Sequence, residues 1–314
     1  MVVRLILSSL ILASSLAAQT RIPVIIDTDI GDAIDDSLAL GLALSSSELD
    51  VRGVTTVIDD VESKTRLAAK QLVVFGRRDI PVAMGVPAPL LDPQLSTHPS
   101  EFQILTPADK VPATPQTPAA VFLIQTLMNA PAPITLVAIG PLTNIALALR
   151  TEPRIRAHIE RIVLMGGAFS TPQIEYNVKR DPIAAQIVFQ SGVRILAAGL
   201  EVTTPCKLRP DDLERLRVAS SPSAHFLIRL IELSQKETGE TLPTLYDPLA
   251  LASVFRPDLI ETATGNVMVD VDAGPGRGQT HFTPAAGGTT RVGVKVNANA
   301  FLDLFIQRLA ARDR

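Results

Sequence analysis

The 314-residue sequence predicts an α/β protein with an open, mostly parallel sheet flanked by helices. Three observations carry this expectation. From Pro23 onward, short β-branched runs alternate with longer stretches of helical period, the pattern of successive strand-helix units. The composition, 46% hydrophobic and 19% charged, suffices for a large buried core. No internal repeat or linker-like stretch divides residues 19–314, which therefore read as one domain.

The first unit pairs strand Val24–Asp27, a continuous β-branched run buried on both faces, with helix Asp35–Leu44. Strand Val51–Thr56 is followed by helix Ser63–Phe75, and strand Ile134–Ile139 by helix Leu142–Leu149. Strand Ile162–Met165 leads to helix Pro182–Gln190, and strand Arg194–Ala198 to helix Pro210–Leu216. Both helices open on proline, whose missing N–H is harmless in a first turn. Val86–Pro118 is rich in Pro, Thr and Ser, is long for a connection inside a compact domain, and reads as a surface lid or substrate loop. Helix Pro222–Thr238 carries His225 and Phe226, which either face a ligand or belong to an amphipathic core stripe. Gly-rich Asp272–Gly288 reads as a hairpin or loop before strand Arg291–Val296. The last helix, Ala298–Ala311, sets Phe301, Leu304, Phe305 and Leu309 on one face.

Residues 1–18 read as a signal peptide, with basic Arg4, an apolar run from Leu5 to Leu16, and small residues at Ser15 and Ala17. The run is too short to span a bilayer, so the expected product is periplasmic or secreted, with no stable membrane association after removal. Cys206 stands alone and excludes an intrachain disulfide. A net charge of -3, from 29 basic and 32 acidic residues, leaves no basic excess for a phosphate backbone, which argues against nucleic acid as a partner. With no Trp and two Tyr, Tyr176 and Tyr246, stacking on a ligand must use Phe, Tyr, His or Arg.

The chemistry concentrates in VIIDTDIGDAIDDSLAL, where Asp27, Asp29, Asp32, Asp35 and Asp36 fall within ten residues. Carboxylates gathered at one strand end repel, and unless shared protons or a cation offset this, their pKa values must rise. A hard divalent ion is the economical solution, because Ca²⁺ accepts six to eight oxygens in loose geometry. Singly, Asp35 or Asp36 would pass as a helix N-cap, as would Asp247 and Asp181, each of which precedes a proline. For Asp181 the capping reading is retained. Gly166 and Gly167 suit a tight turn, and His98, His158, His225 and His281 show no metal-ligand spacing.

These residues resemble the amino-terminal fingerprint of the inosine-uridine-preferring nucleoside hydrolase family, in a variant with two extra residues before the paired aspartates. The likeness continues in order through GVTTVIDD, VAMGVPAPL, ITLVAIGPLTNIALAL, IVLMGGAF, IEYNVKRDPIAAQIVF and LYDPLAL, from Pro23 to Leu309. The resemblance implies a Rossmann-like core and Ca²⁺-dependent hydrolysis of the N-glycosidic bond of ribonucleosides. Asp29 matches the acid that activates the attacking water and contacts the metal. Asp36 and Asp247 match carboxylate ligands, and the Ile139 main-chain carbonyl matches a further one. Asp35 matches the acid that holds the ribose 2'-hydroxyl, and Asp27 an acid that supports the cluster. Glu175, Asn177 and Met165 match residues of the ribose pocket.

Three positions depart from the family pattern. Tyr246 stands where many members carry a histidine that protonates the leaving base, and a phenol is a weaker acid than imidazolium. Asp60 occupies the place of an asparagine and is expected to add an acid to the substrate site. The usual histidine-glycine loop is not visible in LLDPQLSTHPSEF. Two other readings compete: a ribosyl-ligand binding protein without turnover, and a haloacid dehalogenase-type phosphatase suggested by the Asp-Thr-Asp after a strand. A homo-oligomer is compatible with any of these.

Overall fold

The computed structural model describes residues 21–91, 100–109 and 117–311. Residues 1–18, expected to be a signal peptide, and His98 lie outside the described residues. The strands are β1 (Ile22–Thr28), β2 (Leu49–Thr56), β3 (Val82–Ala83), β4 (Ile134–Ala138), β5 (Ile159–Met165), β6 (Ile195–Ala198), β7 (Ile260–Val269), β8 (Thr280–Pro284) and β9 (Thr290–Val296). They form one sheet in the order β3-β2-β1-β4-β5-β6-β9-β7-β8. Pairings from β3 to β9 are parallel, and β7 runs antiparallel to both β9 and β8.

Eleven α-helices are described: α1 (Ile34–Leu44), α2 (Val61–Val74), α3 (Ala119–Asn129), α4 (Thr143–Thr151), α5 (Tyr176–Arg180), α6 (Pro182–Phe189), α7 (Leu200–Thr203), α8 (Pro210–Arg217), α9 (Pro222–Thr238), α10 (Tyr246–Ala252) and α11 (Ala298–Leu309). The expected strand-helix units are all present. The alternation of β1 explains the layering: Val24 and Ile26 pack into the apolar layer that holds α1, α9 and α11, while Ile25 packs into the layer of α3, α4 and α6. The sequence pattern does not predict α3, which follows directly on the Pro-rich stretch, or β3 and β7, whereas β8 lies within Asp272–Gly288, expected as a hairpin or loop. β7 alternates buried and exposed residues only from Gly265 to Val269, while Thr262, Ala263 and Thr264 before it break the period.

One feature of topology positions the site. The chain runs from β1 outward through β2 to β3, then returns to place β4 on the other side of β1. At such a switch point the loops leaving the two central strands diverge and open a crevice at their carboxyl ends. Asp29 leaves β1 there, and Ile139–Gly140 leaves β4 beside it.

Candidate active site

Asp27 is the last acid still within β1. Its Oδ1 accepts from the Thr55 hydroxyl on β2 and, at 2.8 Å, from the Asn144 amide on α4, so it cross-links three elements beneath the crevice. Burial lifts its carboxyl to about 7, against the pull of those hydrogen bonds. The Asn144 amide also donates to the Thr56 carbonyl at 2.9 Å. The sequence motif GPLTN contained Asn144, but nothing in its spacing announced this role.

Asp29 lies just beyond the strand with its carboxylate against Gly140. A Cβ at Gly140 would come within 2.7 Å of the Asp29 Oδ1, so only glycine leaves the acid in place. Asp35 and Asp36 do not cap α1. The N-cap is Ala33, and both acids sit in the first turn, where the helix dipole favours negative charge. Asp36 accepts from the Thr28 hydroxyl. Asp247 is likewise not a cap: Leu245 takes that position in α10, and the Asp247 N–H donates to the Asp35 Oδ2 at 3.3 Å.

Asp35, Asp36 and Asp247 are all buried, and each offers a carboxylate oxygen within 4.8 Å of the others. This trio includes Asp35, where the sequence reading had grouped Asp29 with Asp36 and Asp247. Asp29 stands beside it, close enough that its charge lifts both Asp36 and Asp247. Burial is the largest cause of the raised pKa of Asp29, Asp36 and Asp247, and the neighbouring carboxylates add to it. Burial raises Asp35 to about 6; a hydrogen bond with Asp247 lowers Asp35 and raises Asp247. Burial and mutual repulsion thus both disfavour ionising these carboxylates together, a cost that a divalent cation would offset. An all-oxygen, anionic, buried donor set of this kind fits a hard cation.

The residues expected to line a ribose pocket converge as well. Asn177 is buried on α5, and its amide donates to the Ile139 carbonyl at 3.3 Å and to the Met165 carbonyl at 3.2 Å. Glu175 is the N-cap of α5. Its carboxylate accepts from the N–H groups of Gly167, Asn177 and Val178 at 3.1, 2.7 and 3.0 Å, which fixes the turn at Gly166–Gly167 to the helix. Tyr246, half-buried at the start of α10, has its phenol pushed up, first by burial, against a hydrogen bond to Thr244.

Asp60 was expected in the substrate site; the structure makes it the N-cap of α2, with its Oδ1 accepting from Ser63 N–H at 3.0 Å. Asp181 caps α6 and also accepts from the Thr143 hydroxyl. Phe226 packs into the core while His225 is exposed. Tyr176 went unassigned in the sequence. It is 49% exposed and lines a cleft of about 650 Å³ with Pro89, Leu91, Lys179 and Arg180, whose guanidinium lies 5.8 Å from the ring centroid. Part of the expected lid is thus described: Pro89 and Leu91 border this cleft, and Glu101 and Phe102 pack on Ser37 and Gly31.

An open α/β sheet with a buried carboxylate cluster at its switch point is the arrangement of an enzyme whose acids can work with a hard cation. Residues 24–303 match the profile of the inosine-uridine preferring nucleoside hydrolases, and the chain belongs to that family. A pyrimidine-specific ribonucleoside hydrolase, RihA, of Citrobacter koseri is 36% identical over 309 residues, covering 92% of this chain and 98% of its own. Among solved structures, the plant nucleoside hydrolase PpNRh1 superposes with a TM-score of 0.80 at 32% identity, over 93% of this chain and 100% of its own. The purine-preferring ribonucleoside hydrolase of Gardnerella vaginalis gives 0.81 at 27% identity, over 92% and 98%. The family sets aside the phosphatase reading, and the enzyme is a nucleoside N-ribohydrolase.

Proposed function

We propose that the mature chain, exported on residues 1–18, hydrolyses the N-glycosidic bond of ribonucleosides with the help of a calcium ion. The observation that carries this is the trio Asp35, Asp36 and Asp247, buried together with Asp29 alongside and, among the described residues, with no ion-pair partner of opposite charge. Asp36 and Asp247 would hold the ion, with the Ile139 carbonyl and Asp29 at its edge. When bound, calcium supplies positive charge that orients a water and lowers its pKa. Asp29 takes the proton of the attacking water, because Gly140 leaves its carboxylate unobstructed. Asp35 accepts a ribose hydroxyl. Asn177, its amide already fixed on two carbonyls, presents the other end of its side chain to the sugar. The gathered negative charge favours the oxocarbenium-like sugar that forms as the bond breaks. Tyr246 donates a hydrogen bond to the departing base.

Pyrimidine ribonucleosides are the first substrates to try, given the specificity in the name of the Citrobacter relative. Ribose release is measured by reducing-sugar assay across nucleosides, with calcium and with a chelator. Turnover that chelation abolishes and calcium restores is the expected result. Calcium-dependent nucleoside binding without release of ribose would establish the binding-protein reading instead. Calcium at about 100 times its dissociation constant should also stabilise the fold by about 2.7 kcal/mol in thermal denaturation.

A further inference from the structure

Lys64, in the first turns of α2, is fully buried, at 0% exposure. Lysine is almost never placed this way unless paired, since desolvating the ammonium is costly. Its Nζ lies 2.8 Å from the Asp32 Oδ2 and donates to the Val57 carbonyl at 3.3 Å. The first contact reaches back to β1. The Asp32 N–H donates to the Asp29 carbonyl at 3.1 Å across Gly31, whose φ of +102° suits a tight turn. The Asp32 side chain is therefore the handle of a turn that opens with Asp29. The ring of Phe102 closes over Gly31 and confines the turn from outside.

The second contact reaches the loop after β2, where Ile58 and Asp59 adopt φ of 52° and 58°. A β-branched residue in this left-handed region is strained and persists only when its surroundings hold it. The holders are identifiable. The N–H groups of Ile58 and Asp59 donate to the carbonyls of Val86 and Pro87 at 2.9 and 2.8 Å. Arg180, at the end of α5, donates to both Asp59 oxygens at 2.8 Å. That helix is the one that carries Asn177. Lys64 thus joins the loop of Asp29 to a loop that is itself tied to the sugar-side wall.

We propose that Lys64 is a positioning residue: through Asp32 it fixes the turn that presents the Asp29 carboxylate to the acid pocket, and through Val57 it locks that turn to the neighbouring loop. The proposal rests on the reading of Asp29 as an acid at the reaction centre. A role in charge balance alone makes a different prediction. The double variant Lys64→Met/Asp32→Asn removes one charge of each sign, so balance alone leaves cation binding unchanged. Lys64→Arg keeps the charge but forces a longer, planar group into the same space.

The test uses the full mature protein. Calcium affinity is read by titration calorimetry, kcat and KM by ribose release, and main-chain protection of residues 28–33 by hydrogen exchange. Positioning predicts about tenfold or more weaker calcium binding in both variants, and kcat lowered about tenfold or more with KM within about threefold. It also predicts faster exchange in the turn than in wild type. Calcium affinity and kcat within about threefold of wild type in both folded variants overturn it. If one variant fails to fold, the other decides. Wild-type protein that binds no calcium and releases no ribose would overturn the proposed function instead. The brace is then judged by exchange alone, and unchanged protection of the turn overturns it.

Discussion

Helices α1 and α8 begin alike and end up doing different things. Each carries adjacent acids in its first turn, Asp35 and Asp36 in α1, Asp211 and Asp212 in α8. In both, the helix dipole makes those positions favourable for negative charge. Asp212 is as buried as Asp36, at 2% exposure. It is, however, answered by Arg209, with Nη2 at 3.0 Å from Oδ1 and Nε on the other oxygen, and by Arg215 at 3.6 Å. Asp35 and Asp36 meet further carboxylates instead, from Asp247 and Asp29. A buried acid with a guanidinium partner is a structural ion pair. A buried acid facing other acids is an incomplete arrangement, completed by a proton or a cation.

The contrast can be broken from either side. The largest effect is expected from Asp29→Asn, which removes the proposed proton acceptor and should lower kcat by about 10²–10⁴-fold in ribose-release assays, with the fold intact. Gly140→Ala keeps every acid in the sequence but drives a methyl group into the Asp29 carboxylate and main chain, so Asp29 must shift. A displacement of this size should cost about 10–100-fold in kcat and, because main chain must move as well, lower the melting temperature.

Glu101 sharpens the comparison by pH. It is a buried acid in the short helical turn Ser100–Ile104, accepting from the Ser37 hydroxyl at 2.9 Å, and burial pushes it to about 8 from an ordinary 4.5. A carboxyl whose folded pKa exceeds its unfolded value binds more protons when folded. Stability is therefore full below about pH 4.5 and lost as pH rises toward about 8. Glu101→Gln should accordingly be more stable than wild type above pH 8, by on the order of 2–4 kcal/mol, and should lose that advantage near pH 4.5. Melting temperatures of the two proteins across this range check it. The smallest effect is expected on the α8 side: Asp212→Asn should cost about 1–3 kcal/mol in chemical denaturation and leave kcat unchanged. A loss of activity there, with none for Asp29→Asn, would reverse the assignment of the two helices.

Much of this was legible beforehand. The strand-helix alternation after Pro23 gave the parallel sheet, because periods of two and 3.6 are local properties of the chain. The density of Asp27, Asp29, Asp32, Asp35 and Asp36 signalled a charge problem at one strand end, since like charges repel whatever surrounds them. What remained hidden was partnership. Asp60, expected at the substrate site, uses one carboxylate oxygen to cap α2, because a cap is decided by which N–H groups the loop happens to face. The hairpin of β7 and β8 was legible only at its Gly-rich turn and β8, within Asp272–Gly288; β7 was hidden because a half-exposed antiparallel strand tolerates mixed residues.

The sequence by itself determined the order of the elements, the acidic character of the crevice and the family. The tertiary structure decided the company each acid keeps. It brought Asp247, 212 positions away, against Asp35, set Gly140 under Asp29, and buried Lys64 against Asp32. The physical reason is that burial and Coulomb energy depend on distance in space, and only the crossing of the chain at β1 and β4 brings these groups within reach of one another.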